Sequence, residues 1–260
     1  MANETPVAVV TGASRGIGRR LCEDLARAGF DVVCTARTSN ASRAKLPGTV
    51  EETAALVEAA GRRAMPVALD VQDEPAVAAL AERVYREWGR CDLLINNAAV
   101  APPRPALDDS IKRWRLAVDV NLNGPFYAMF HFCPRMAAAG GGHVINVSSG
   151  AAVTPSFGRA SYTATKLALE GLTESLAHDL AGKVAVNCIR IDMPIWTEGF
   201  DATLPADFDR SWFEDAAIMT DAVLWLVKQG LDYSGKILTL GELRERGIVR
   251  PTTRASVPSK

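Results

Sequence analysis

In the stretch "SYTATKLALE", residues 161–170, Tyr162 and Lys166 stand four positions apart among mostly small and aliphatic neighbours. On a helix both would lie on one face. A tyrosine hydroxyl is a poor acid-base group near neutrality, with an unperturbed pKa of about 10. A cation close by stabilises the phenolate and lowers that value. Such a pair can give a proton to an oxygen that is gaining negative charge, or take one from an alcohol. A tyrosine and a lysine can also share a helix face by chance, so the pair has to be read with its surroundings.

The second chemical pattern is "TGASRGIG", residues 11–18, in which Gly12, Gly16 and Gly18 are spaced G-x-x-x-G-x-G. Glycines there let the backbone turn tightly and approach a ligand closely. A helix-like segment follows at once, so its unpaired N–H groups would face a pyrophosphate. An ordinary Gly-rich turn has the same composition. Its place at the first strand–helix junction of an alternating chain favours dinucleotide binding.

The elements that must position these residues are legible as alternating patterns. Apolar, β-branched runs occur at 7–10, 31–36, 64–70, 92–96, 143–148, 184–191 and 236–240. Helix-like segments lie between them at 16–29, 50–61, 74–89, 107–138, 161–181 and 216–229. Consecutive apolar residues suit strands covered on both faces. The alternation predicts an α/β fold, a doubly wound parallel sheet of about seven strands with helices on both faces. No linker or repeat divides residues 1–260, so one domain is expected. Residues 38–49 and 192–215 are expected to be irregular, and the tail 241–260 partly mobile.

Composition narrows the class. A chain of 260 residues with 48% hydrophobic residues can bury a sizeable core. A formal net charge of −1 gives no electrostatic reason to bind nucleic acid or an anionic membrane. No apolar run nears the roughly 20 residues that span a bilayer, and the first residues lack the pattern of a signal peptide. A cytoplasmic protein is expected. Cys22, Cys34, Cys91, Cys133 and Cys188 form no C-x-x-C pair and read as buried free thiols. The three histidines are too scattered for a metal site, and none is expected.

In these motifs and their order, residues 6–240 closely resemble the short-chain dehydrogenase/reductase family. "TGASRGIG" resembles its cofactor turn, and "NNAA" at 96–99 its segment after the fourth strand, with Ala99 where glycine is usual. Asn121 in "DVNLNGP" and Ser149 in "INVSSG" match its active-site asparagine and serine, Tyr162 following Ser149 by thirteen positions. "KLPGTVEETAALVEAAG" is similar to a branch with hydroxysteroid dehydrogenase-like and citronellol dehydrogenase-like members. One departure is Ile191-Asp192, where relatives usually have Pro-Gly.

The resemblance implies hydride transfer between a nicotinamide and a carbonyl or alcohol carbon. Ser149 would hold the carbonyl oxygen, Tyr162 would exchange its proton, and Lys166 would hold the ribose and lower the Tyr162 pKa. Asn121 would help place a water leading from Lys166. Cofactor contacts are implied for Gly12, Ser14, Arg15, Gly16, Ile17, Gly18, Arg37, Asp70, Val71, Asn97 and Thr197, besides Tyr162 and Lys166. Arg15 and Arg37, with no acid after the second strand, favour NADP(H) over NAD(H). Residues 192–215, rich in aromatics, are expected to form a lid with an apolar inner face over a hydrophobic substrate. A homodimer or homotetramer is expected. The competing reading is a dinucleotide-binding redox sensor or complex subunit without turnover, which would not need a proton donor.

Overall fold

Each of the seven apolar runs forms a strand: β1 (Val7–Thr11), β2 (Asp31–Ala36), β3 (Ala64–Ala68), β4 (Leu93–Asn96), β5 (His143–Ser149), β6 (Ala185–Ile191) and β7 (Ile237–Thr239). The computed structural model describes residues 5–252, except positions 43, 102, 103, 109 and 206. All strands pair in parallel in one sheet of order β3-β2-β1-β4-β5-β6-β7. The helices are α1 (Gly16–Arg27), α2 (Val50–Ala59), α3 (Glu74–Trp88), α4 (Ile111–Val118), α5 (Gly124–Ala138), α6 (Ala160–Asp179), α7 (Glu198–Asp201), α8 (Ala217–Leu226) and α9 (Leu240–Glu245).

The consecutive apolar residues divide between two cores, one on each face of the sheet. Ala8 and Val10 pack with Leu21 and Leu25 of α1 and Ile218 and Val223 of α8. Val7 and Val9 pack with Val77 and Leu80 of α3 and Met129 and Phe132 of α5. Because side chains alternate along a strand, a strand covered on both sides has to be apolar throughout. The strand order reverses between β1 and β4. A crevice therefore opens at their carboxyl ends, where doubly wound sheets bind ligands.

One expectation needs correction. Residues 107–138 are not one helix. A 3₁₀ turn at Ala106–Asp108 precedes α4, and a π turn at Asp119–Asn123 joins α4 to α5. Pro125 has no N–H to give the carbonyl of Asn121, four residues back, so the regular ladder cannot run through this point. In the first part of the tail, Thr239 and Glu242 form a capping box that starts α9. Leu243 and Val249 are buried, and Thr252 bonds Glu214 and the Asp215 N–H. Residues 253–260 lie outside the described residues.

Candidate active site

The glycine turn is stapled to the chain leaving β4. Thr11 Oγ1 accepts from the N–H groups of Asn97 (3.0 Å) and Ala98 (3.1 Å), and Asn97 Nδ2 donates to the Thr11 carbonyl (2.8 Å). Gly16 sits at φ 55°, in the region that disfavours side chains. Gly18 faces the turn so closely that a Cβ there would lie 2.3 Å from the Gly12 carbonyl oxygen. A cleft of about 350 Å³ opens over this turn. The turn contributes Gly12, Ser14, Arg15, Gly16, Ile17 and Gly18, and Arg37, Asp70, Val71, Asn97 and Thr197 join from four other segments. Every one of those expected positions thus meets in one cleft, at the carboxyl ends of β1 to β4 and β6.

The charges of the cleft are arranged less simply than the sequence suggests. Arg15 Nε donates to the Pro47 carbonyl (2.8 Å), and its Nη2 reaches Leu46 O (3.1 Å), Gly48 O (3.3 Å) and Thr38 Oγ1 (3.3 Å). Arg15 therefore ties the 46–48 loop onto the glycine turn as well as facing the cleft. Burial holds its pKa below the ordinary arginine value, opposed by Glu198 and assisted by the nearby cation of Arg37. Arg37 itself is exposed. Glu198 Oε2 accepts from the Gly16 N–H at 2.9 Å. Its carboxylate thus occupies the kind of helix N-terminal position that favours a phosphate.

The four residues expected to do chemistry come together beside this cleft without lining it. Ser149 ends β5, where its Oγ accepts from the Ala151 N–H (3.3 Å) and its side chain favours the ionised form of Tyr162. Lys166, one turn along α6 and 2% exposed, holds its Nζ 5.7 Å from the Tyr162 ring centroid. Lys166 Nζ donates to the Val147 carbonyl at 2.6 Å. Asn121, buried in the π turn, clamps Val100: its Oδ1 accepts from the Val100 N–H (2.8 Å) and its Nδ2 donates to the Val100 carbonyl (2.9 Å). The same Nδ2 donates to Thr165 Oγ1 (3.1 Å), next to Lys166. Val100 lines the cleft, so Asn121 couples the cleft to α6.

The electrostatics of Tyr162 differ from expectation. Burial pushes its pKa above the ordinary value, opposed by the Ser149 side chain and the charge of Arg159. Lys166 faces the Tyr162 ring and is itself desolvated. Burial pulls its pKa to about 8, against the influence of Cys188 and Glu170. Asn121 likewise spends both amide hydrogens on Val100 and Thr165, leaving only its oxygen's second lone pair for a water.

The Ile191-Asp192 departure has a structural role. β6 runs on to Ile191, opposite Ser149, and Asp192 Oδ1 accepts from the Gly241 N–H (3.1 Å) at the start of α9. The following segment closes on itself through Trp196 N–H to Glu214 O and Glu214 N–H to Pro194 O, both 2.9 Å. Phe200, Phe208, Trp212 and Phe213 pack on one another, with centroids 5.2–6.3 Å apart. Arg210 pairs with Asp201 inside the same loop. These aromatics form a small core for the segment instead of an open apolar face. Trp212 still leaves 54% of its surface exposed.

Sequence reasoning missed Thr11, Thr38 and Glu198. Thr38 adjoins Arg37 and Glu198 adjoins Thr197, but no local spacing links residue 198 to the glycine turn. All five cysteines are buried and free. Among the described residues no helix is long and apolar enough to cross a membrane.

Comparison with known proteins fits this geometry. Residues 6–197 match the short chain dehydrogenase family. The chain is 29% identical over 239 residues to hydroxysteroid dehydrogenase-like protein 2 of Xenopus laevis, and 29% identical over 242 residues to that of Homo sapiens. These alignments take in 91% and 92% of this chain but 57% of each relative, so the chain spans little more than half their length. A metagenomic short-chain oxidoreductase solved in complex with NADP is 33% identical, with TM-score 0.74 over 90% of this chain and 96% of that one. A short chain dehydrogenase from Mycobacterium paratuberculosis bound to NAD is 26% identical, with TM-score 0.79 over 91% and 96%.

Proposed function

Because the chain belongs to the short-chain dehydrogenase family, we propose that it is an NADP(H)-dependent oxidoreductase acting on a carbonyl or secondary alcohol. The observation that carries this reading is the convergence of Ser149, Tyr162 and buried Lys166 beside a cleft lined by the glycine turn, Arg15 and Arg37. A sensor without turnover has no use for that arrangement. The cleft fits a dinucleotide: a glycine turn with an N–H already holding an anion, and two arginines.

A bound nicotinamide would supply or accept the hydride. Ser149 holds the substrate oxygen and offers it a hydrogen bond as charge develops. Tyr162 gives that oxygen its proton, and its raised pKa keeps the phenol protonated and able to donate at neutral pH. Lys166 is the cation behind the phenol, and it would turn from the Val147 carbonyl to hold ribose hydroxyls of a bound cofactor. Asn121 holds the Val100 wall of the cleft against α6.

Preference for NADP(H) is supported by exposed Arg37 next to Arg15 and by Ala36 where an acid would bind a ribose. The two solved relatives carry NADP and NAD respectively, so this chain's own residues bear the argument. A hydrophobic substrate is supported by Val153 and Phe157, 53% and 88% exposed on the loop between Ser149 and α6. Exposed Ile111 and Trp114 on α4, Phe126 and Phe130 on α5 and Leu167 on α6 give faces for a homodimer or homotetramer. Buried free thiols suit a cytoplasmic setting.

The test is loss of NADPH absorbance with a panel of ketones, aldehydes and 3-oxoacyl thioesters. Turnover of an apolar carbonyl compound that is faster with NADPH than with NADH is expected. Absence of turnover across the panel in both directions would overturn the reading.

A further inference from the structure

Beneath Lys166 lies a charge cluster that the chemistry above leaves unused. Glu170 follows Lys166 along α6 by the same one turn that separates Lys166 from Tyr162. Its side chain is 6% exposed. Its Oε1 accepts from Ser148 Oγ (2.7 Å) and Arg190 Nε (2.9 Å), and its Oε2 accepts from Arg190 Nη2 (2.6 Å). Ser148 and Arg190 face each other in the β5–β6 register. Ser148 also stands between Val147, whose carbonyl receives Lys166 Nζ, and Ser149. The cluster therefore touches the immediate supports of both the serine and the lysine.

A buried ion pair is a poor way to fasten a helix to a sheet, since apolar residues of similar volume often serve as well or better. Its charge does have work here. Lys166 is wholly desolvated, and a lysine in that setting tends to lose its proton. The groups acting on it include Glu170 from α6 and Cys188 from β6, with the Tyr162 ring 5.7 Å from its Nζ and the Val147 carbonyl of β5 accepting from it. Arg159 acts on Tyr162 from the start of α6, and Glu242 of α9 acts on Arg190. Burial pushes the Cys188 thiol up to about 12, so it is neutral at working pH. Glu170 is then the anion available to Lys166, and it is shared with Arg190.

We propose that Glu170, held by Ser148 and moderated by Arg190, is the positioning residue of Lys166: it keeps the lysine a cation on the Val147 carbonyl, in line with Tyr162, and sets the alkaline edge of activity. This rests on the role proposed for Lys166. Glu170→Gln removes the anion, so Lys166 sheds its proton at lower pH and the alkaline limb of kcat moves down by about one pH unit. Arg190→Gln frees the anion, and the limb moves up by a similar amount. The uncharged double variant E170Q/R190Q returns toward wild type. Because a single variant can fold poorly, melting is recorded alongside, and the double variant keeps the test open.

The experiment is a pH profile of kcat and kcat/KM for the four proteins with one accepted carbonyl substrate. It is paired with a ¹³C NMR titration of the labelled lysine side chains, Lys166 being assigned with Lys166→Arg. Opposite displacements in E170Q and R190Q support the proposal. Equal displacements, or loss of rate with the limb and the Lys166 titration unmoved, overturn it and leave a structural ion pair. The NMR titration needs no turnover, so it reads the proposal even where the functional reading fails.

Discussion

Replacing Glu198 by Gln should tighten dinucleotide binding. Glu198 Oε2 takes the Gly16 N–H at 2.9 Å, at the first residue of α1. That helix has no side-chain cap from Arg15 and no acid in its first turn, so Glu198 is the anion that its N-terminus holds. The diphosphate of a cofactor seeks the same N–H and has to displace the carboxylate. A hydrogen bond to a charged group is worth about 1.5–3 kcal/mol net. The carboxylate recovers water on release, and a neutral amide keeps a weaker bond, so the relief from Glu198→Gln falls near the lower bound. About 1.4 kcal/mol corresponds to a tenfold lower Kd. NADPH and NADH should gain by the same factor, because they share the diphosphate. Titration of NADPH and NADH fluorescence into both proteins measures this. Unchanged or weaker binding by E198Q, with its melting temperature unaltered, would refute the reasoning.

Tyr162→Phe keeps the ring and removes the proton donor, so kcat should fall by at least about 100-fold with cofactor affinity little changed; steady-state rates and a binding titration check both halves. Arg37→Asp should shift preference toward NADH, read as the ratio of kcat/KM for the two cofactors, and equal values in the wild type would already count against the premise. Asp31 anchors the start of β2 through Arg63 Nε (2.6 Å), the Arg63 N–H (3.1 Å) and Arg62 Nη2 (2.7 Å). Burial alone would raise its pKa, but the bonds and charges of Arg63 and Arg62 outweigh it and hold the value down. A depressed carboxylate contributes stability above its unfolded pKa of about 3.9 and loses it as pH falls through the folded value. Asp31→Asn should therefore cost about 2 kcal/mol in urea unfolding at neutral pH, and the gap should shrink in acid; a gap independent of pH would contradict the assignment.

Much of the fold could be read without coordinates because its signals are local. Val7 to Val10 are apolar in sequence because each strand is covered on both faces, and that rule needs no partner to be named. The glycine spacing from Gly12 to Gly18 is set by one turn of backbone. Tyr162 and Lys166 share a face of α6 by helix geometry alone. Less local features were read wrongly or missed. The π turn at 119–123 depends on Pro125 and on Asn121 reaching Val100. α9 had a local signature, Thr239 with Glu242, which the charged and proline-containing tail obscured.

What only the tertiary structure decided is proximity across the chain and the burial that comes with it. Arg15 spends donors on the 46–48 loop, and Phe200 to Phe213 satisfy one another, because packing brought suitable partners within reach. Glu198 meets Gly16 across 182 positions. The sign of the Tyr162 shift follows from burial by segments distant in sequence, which outweighs Ser149 and Arg159. Residue types and spacings specify which groups can do chemistry. Desolvation and long-range contact set the charge and direction in which those groups are held, and neither exists until the chain has folded.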